Sequence, residues 1–177
     1  NKNEYLRVMD GDRIGDKIVK LSLLGEGLQL FASFAILMNF QRFGKMKGMC
    51  QIVAWSIRDE DLHVQSMARL LNTIVAERGE RLQRESVWKL VKETVALEDA
   101  FIDICFKDYD IKGITKDEIK QYIRYIADYR LSQIDVKPLY NVGNPLEWLE
   151  WMLQAPEHTN FFENRGTDYA KGSLKGD

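Results

Sequence analysis

Histidine and cysteine are scarce in this chain of 177 residues, which holds only His63, His158, Cys50 and Cys105. Cys50 and Cys105 stand alone in helical contexts without metal-type spacing, so they read as reduced core thiols of a cytoplasmic protein rather than a disulfide. His158 lies beside Pro156 in a polar tail with no helical partner carboxylate, which leaves His63 as the one histidine in a helical setting. Excess charge of either sign is also missing: 25 Lys and Arg stand against 27 Asp and Glu, for a net charge of -2. With the basic residues scattered, that balance argues against a nucleic-acid footprint. No signal peptide is apparent, and the longest apolar stretch, residues 31–38, is interrupted by Ser33 and predicts no bilayer span. Strand alternation and internal repeats are not visible. The first residue is Asn1 rather than Met, so the chain is expected to be processed, a fragment, or the product of a split gene.

What is present is helix periodicity. A composition of 45% apolar and 29% charged residues is that of an ordinary globular protein, long enough for one domain with a sizeable core. The pattern predicts helices over residues 12–42, 46–78 and 85–106. A fourth opens with a capping box, Thr115 with Glu118, and Ile114 and Ile119 are spaced for a hydrophobic staple. Its inner face is expected to run Ile119, Tyr122/Ile123, Ile126 and Tyr129. Asn144-Pro145 with Glu147 starts a short fifth helix through Trp148 and Trp151. The pattern stops after Pro156, so residues 1–156 are predicted to form the domain and 157–177 a flexible tail awaiting a partner.

Three ionisable residues fall on stripes that should be apolar. On the first segment the stripe reads Val19, Leu23, Glu26, Leu30, Phe34, Leu37; on the second Ile52/Val53, Ser56, Glu60, His63, Met67, Leu70/Leu71, Ile74. Phe43 lies midway between Glu26 and Glu60, beside the break signal from Gly44 to Gly48. If the chain reverses there, each glutamate sits roughly 17 residues, or on the order of 25 Å, from the turn and the two arrive level. His63 lies one turn beyond Glu60 on the same face. Buried carboxylates must be neutralised, paired or metal-bound, and two of them with an imidazole favour metal. Taken singly, each residue has a plainer reading: Glu26 as an ion-paired acid, His63 as a hydrogen-bonded core histidine. Di-iron and di-manganese carboxylate bundles use inward Glu and Glu-x-x-His on antiparallel helices, about six ligands in all. This sequence offers half of that set.

The block Glu26-Gly-Leu-Gln-Leu-Phe-Ala-Ser-Phe-Ala35, followed by Arg58-Asp-Glu-Asp-Leu-His63, resembles the second metal-binding helix pair of the small, radical-generating subunit of class I ribonucleotide reductase. Asn144-Pro-Leu-Glu-Trp148 is similar to that family's segment after the helical core, and His158 to Tyr169 to its C-terminal tail. The resemblance implies an all-α, ferritin-like helical bundle, of which this chain would be the C-terminal half. It implies that Glu26, Glu60 and His63 are metal ligands, with Glu60 bridging two ions, and that Asp59 is the carboxylate that orients a ligand histidine not found in this chain. Tyr169 then matches the tail tyrosine that passes the oxidising equivalent to the large subunit, and Glu163 a tail glutamate needed for that transfer. The implied cofactor is dinuclear iron, with manganese or a mixed pair open because the ligand types suit each. The implied partners are the large catalytic subunit, a complementing N-terminal small-subunit chain and a second small subunit; neither nucleic acid nor a membrane is expected. The implied activity, reduction of ribonucleotides to deoxyribonucleotides, belongs to the assembly.

Leu30, Phe31 and Phe34 are placed to form part of an apolar wall near Glu26. The family's first ligand pair, its radical-bearing tyrosine and its transfer-route tryptophan are expected upstream of residue 1; the tryptophans at 55, 88, 148 and 151 lie elsewhere in the pattern. Residues 174–177 hold one apolar side chain where family tails carry several. Two other classes stay open: a ferritin-like metal oxidase or storage half-bundle, and a metal-free module that binds the large subunit through its tail. Asp59 alone also reads as a surface acid paired with Arg58, and Tyr169 as an ordinary tail tyrosine.

Overall fold

A computed structural model describes residues 14–78 and 82–154. The first stretch is a short α1, Ile14–Ile18, running into a π-helical segment, Val19–Glu26, then α2, Phe31–Asn39, and a 3-10 turn, Phe40–Phe43. The reversal follows at Gly44, whose φ of 68° places it in the left-handed region that closes a helix end. The long α3, Lys47–Arg78, returns; α4, Arg84–Cys105, α5, Lys116–Gln133, and α6, Glu147–Gln154, complete the set. The π segment and α2 both pack on α3, α2 also packs on α5, and α4 lies along α5. One apolar core runs from Ile18 to Leu149, and no strand occurs among the described residues. The expected boundary between domain and tail lies outside the described residues.

The first segment departs from the uninterrupted helix its sequence suggests. Backbone N–H groups of Gly27 and Gln29 reach back five residues, to Ser22 and Leu24 carbonyls at 2.9 and 3.1 Å. Each such turn takes in an extra residue and rotates everything after it. The expected stripe therefore holds through Leu23 and then fails: Leu28, Phe31, Ala32, Ala35 and Met38 are buried, whereas Leu30 is exposed. Gly27 makes the break possible. A Cβ there would collide with the Leu23 carbonyl and lie 2.9 Å from Arg130 Nε and 3.0 Å from Val64 Cγ2.

Ile14–Phe43 is long and apolar enough to cross a membrane by length and composition, judged on its most apolar 18-residue window. The sequence reading counted only the uninterrupted apolar run. Half of that window is buried inside the protein, as suits a core segment of a helical bundle.

The expected capping box is formed: Glu118 N–H donates to Thr115 Oγ1, and the Thr115 N–H to the Glu118 carboxylate at 2.7 Å. The inner face of α5 differs at its end, where Tyr129 is largely exposed and Arg130 is buried instead. In α6 it is Leu149 that is buried, and Trp151 faces outward. Phe101 and Ile104 of α4 are likewise exposed while Ile102 is enclosed.

Asp128 anchors the loop after α5. Its carboxylate accepts the backbone N–H groups of Leu139, Tyr140 and Asn141 at 2.7, 3.0 and 2.6 Å. Replacing Asp128 with Ala strands three donors, so chemical denaturation should register a loss of about 3 kcal/mol. A change under about 0.5 kcal/mol would mean that the loop is held by other contacts.

Candidate metal centre

Glu26 is the last residue of the π segment, and Glu60 and His63 lie one turn apart on α3. The hairpin through Gly44 brings the two strands level, and donor atoms of Glu26, Glu60 and His63 lie within 4.8 Å of one another. The His63 ring sits between two acids, with Nδ1 4.0 Å from Glu60 and Nε2 3.8 Å from Asp59. The Glu60 side chain is 24% exposed and that of His63 is 54% exposed. The cluster therefore lies on the shoulder of the core, not inside it. Buried positions on α3 run Val53, Ile57, Val64, Ala68 and Leu71, rotated from the stripe expected by sequence.

One oxygen sets the chemistry. Glu60 Oε2 is buried and meets no hydrogen-bond donor. Burial pushes the Glu60 carboxyl above its ordinary range, the nearby Glu26 and Asp59 charges add to that, and His63 opposes it. An orphaned carboxylate oxygen beside a second carboxylate and an imidazole is a donor set that fits a hard or borderline divalent cation such as iron or manganese.

Asp59 is 69% exposed and faces His63. Phe31 is buried and meets Phe34 edge-on, with ring centroids 5.7 Å apart, whereas Leu30 is exposed. Cys50 and Cys105 are free thiols. Glu163 and Tyr169 lie outside the described residues.

The family model described as "Ribonucleotide reductase, small chain" matches residues 1–145. The chain belongs to the ribonucleotide reductase small-chain family. It is 47% identical over 171 residues to a probable ribonucleoside-diphosphate reductase small subunit of Invertebrate iridescent virus 3, covering 94% of this chain and 46% of that protein. Against the ribonucleoside-diphosphate reductase subunit beta of Chlamydia pneumoniae the identity is 32% over 156 residues, covering 86% and 44% respectively. A crystal structure assigned to class I ribonucleotide reductase of Bacillus halodurans superposes with a TM-score of 0.75 at 25% identity, over 84% of this chain and 57% of that one. The chain thus spans about half the length of the curated relatives it matches. The helices are those of an all-α, ferritin-like bundle. Small chains of the family generally hold a dinuclear metal site, and the Glu26, Glu60 and His63 group has the ligand types for one.

Two buried ionisable residues, Arg130 and Glu98, were missed by sequence reasoning, although the same stripe test reaches both. Arg130 falls in line with Ile119, Ile123 and Ile126, and Glu98 in line with Val91, Val95 and Ile102. Glu98 is 5% exposed; its carboxylate accepts the Ala32 N–H at the restart of α2, and its Oε2 has no partner. Burial pushes this carboxyl up to about 7, partly offset by the Ala32 N–H and reinforced by Asp99. The folded state then holds the proton more tightly than the unfolded chain, whose carboxyl titrates near 4.5. Its contribution to stability is fully present below pH 4.5 and is lost as pH rises through 7. Glu98→Gln cannot ionise, so it should exceed the parent in stability at pH 8.5 by up to about 3 kcal/mol and match it near pH 4.5. Thermal melts at the two pH values measure this; an equal effect at both would remove ionisation as the cause.

Proposed function

We propose that this chain is the C-terminal part of a class I ribonucleoside-diphosphate reductase small subunit, supplying half of a dinuclear metal site. The observation that carries the reading is the Glu26, Glu60 and His63 donor group with the buried, unpartnered Glu60 oxygen. In this reading Glu26, Glu60 and His63 hold the metal, Glu60 bridges, and iron is the favoured ion, with manganese or a mixed pair accepted by the same ligands. The bound ions would supply one-electron oxidising chemistry. The chain's own residues orient and shield: Phe31 and Phe34 exclude water on the α2 side, and Asp59 holds a proton-accepting carboxylate at the open edge beside His63.

The remaining ligands come from outside these 177 residues. On α3 the face carrying Asp59 and His63 also exposes Ile52, Leu62 and Leu70. A face of that mixture suits a further helix pair bearing the complementary carboxylates and second histidine. We assign that pair to an N-terminal small-subunit region. Tyr169 and Glu163 of the tail would pass the oxidising equivalent to the large catalytic subunit, which reduces the ribonucleotide. A small-subunit dimer and a reducing, cytoplasmic setting, in which Cys50 and Cys105 remain thiols, accord with the reading.

Metal analysis tests it. Anaerobic Fe(II) added to the chain together with the N-terminal region of a relative should be retained at about two ions per complex, and Glu60→Ala should reduce retention to below one. Stable uptake of two irons by the 177-residue chain alone would refute the half-site. Retention unchanged in Glu60→Ala would refute the ligand assignment, and ferroxidase turnover by the chain alone would favour a storage or oxidase bundle instead.

A further inference from the structure

α5 carries a cation that is almost wholly enclosed: Arg130 is 1% exposed. A guanidinium is tolerated there only if its N–H groups find acceptors. Nε donates to the Gly27 carbonyl at 3.0 Å, and Nη1 donates to Asp61 Oδ1 at 2.7 Å and to Gln133 Oε1 at 3.2 Å. The second Asp61 oxygen is held by Gln65 Nε2 at 2.6 Å. Phe31 lies against the guanidinium, with its ring centroid at 5.2 Å.

The positions of the acceptors matter more than their number. Gly27 follows Glu26 and Asp61 follows Glu60. One rigid planar group therefore ties the backbone just beyond one glutamate to the side chain just beyond the other, from a third helix 103 and 69 residues away in sequence. The approach leaves no space for a side chain at 27, where a Cβ would lie 2.9 Å from Nε. The sequence around the π segment is thus fitted to this guanidinium.

We infer that Arg130 is a positioning residue for the Glu26, Glu60 and His63 centre: it locks the end of the π segment to α3 so that the two carboxylates stay in register before any metal arrives. The inference rests on the metal reading above. Lysine cannot replace it, because a single ammonium lacks the fork that serves the carbonyl and the carboxylate together.

Amide hydrogen exchange of the metal-free 177-residue chain reads the register directly, and Co(II) titration of the chain with its completing region reads its use. In Arg130→Lys and Arg130→Gln, amides of residues 24–31 should exchange at least about tenfold faster while those of 91–102 in α4 keep their parental rates. Co(II) should bind about tenfold more weakly, with a displaced visible spectrum. Asp61→Asn, which keeps the shape of the pocket, should move both readouts in the same direction by a smaller factor. Parental exchange at 24–31 overturns the inference, as does a uniform rise across all helices, since that marks a fold anchor only; so does a parental Co(II) affinity and spectrum in a variant that does loosen there. If neither Arg130 variant folds, Asp61→Asn decides by the same criteria. A parent that binds no Co(II) refutes the metal reading, and exchange alone then decides whether Arg130 holds the register.

Discussion

Two carboxylates brought to within a few ångströms repel one another, and the packing of α3 against the π segment has to hold Glu26 and Glu60 together against that repulsion. Apolar burial does most of this. Leu23 and Leu24 on one side and Val53, Ile57 and Val64 on the other belong to one core, and Gly27 lets the strands approach without a side chain between them. Burial raises the affinity of Glu60 for a proton, and the Glu26 charge adds to that. A buried carboxylate of this kind is tolerated only when it is neutralised, paired or bound by a cation.

Much of this was legible locally. The ends of α3, the Gly44 reversal and the Thr115 capping box follow from short-range rules, and each lies where its residues indicate. The glutamate pair was legible for the same reason, since equal spacing from one turn brings two residues level whatever else the chain does. Residues 14–43 were not, because periodicity assumes one kind of helix. The π segment Val19–Glu26, extended by five-residue hydrogen bonds from Gly27 and Gln29, changes the number of residues per turn, and the inward positions after it shift. Glu26 closes the π segment, and beyond it Leu30 turns outward while Phe31 is buried.

Buried polar residues mark the other boundary of legibility. Glu98, Asp128 and Arg130 fall on or beside apolar stripes, so a stripe test flags them, but a stripe does not name a partner. Glu98 meets a backbone N–H on α2, Asp128 a loop, and Arg130 two segments far away in sequence. Three of these partners are backbone groups left over by an irregularity: a helix restart, a chain turning after α5, a carbonyl where the π segment ends; the fourth is the Asp61 side chain on α3. The broken helix accounts for part of this polar core, and only the three-dimensional arrangement reveals which charge answers which group.

Burial divides α3 lengthwise in a way that bears on the site itself. Val53, Ile57, Val64, Ala68 and Leu71 face the core, whereas Ile52, Asp59, His63 and Leu70 share the outer side. Glu60 stands on the line between them, one oxygen enclosed and the side chain still partly open. A carboxylate sunk fully into the core would be shut off from any ligand arriving across the outer side, and one fully outside would keep its water and gain little from a cation. The boundary position leaves one Glu60 oxygen on the core side and keeps the side chain open to the outer side. It follows from a helix whose buried line, through Ile57 and Val64, passes beside Glu60 without enclosing it.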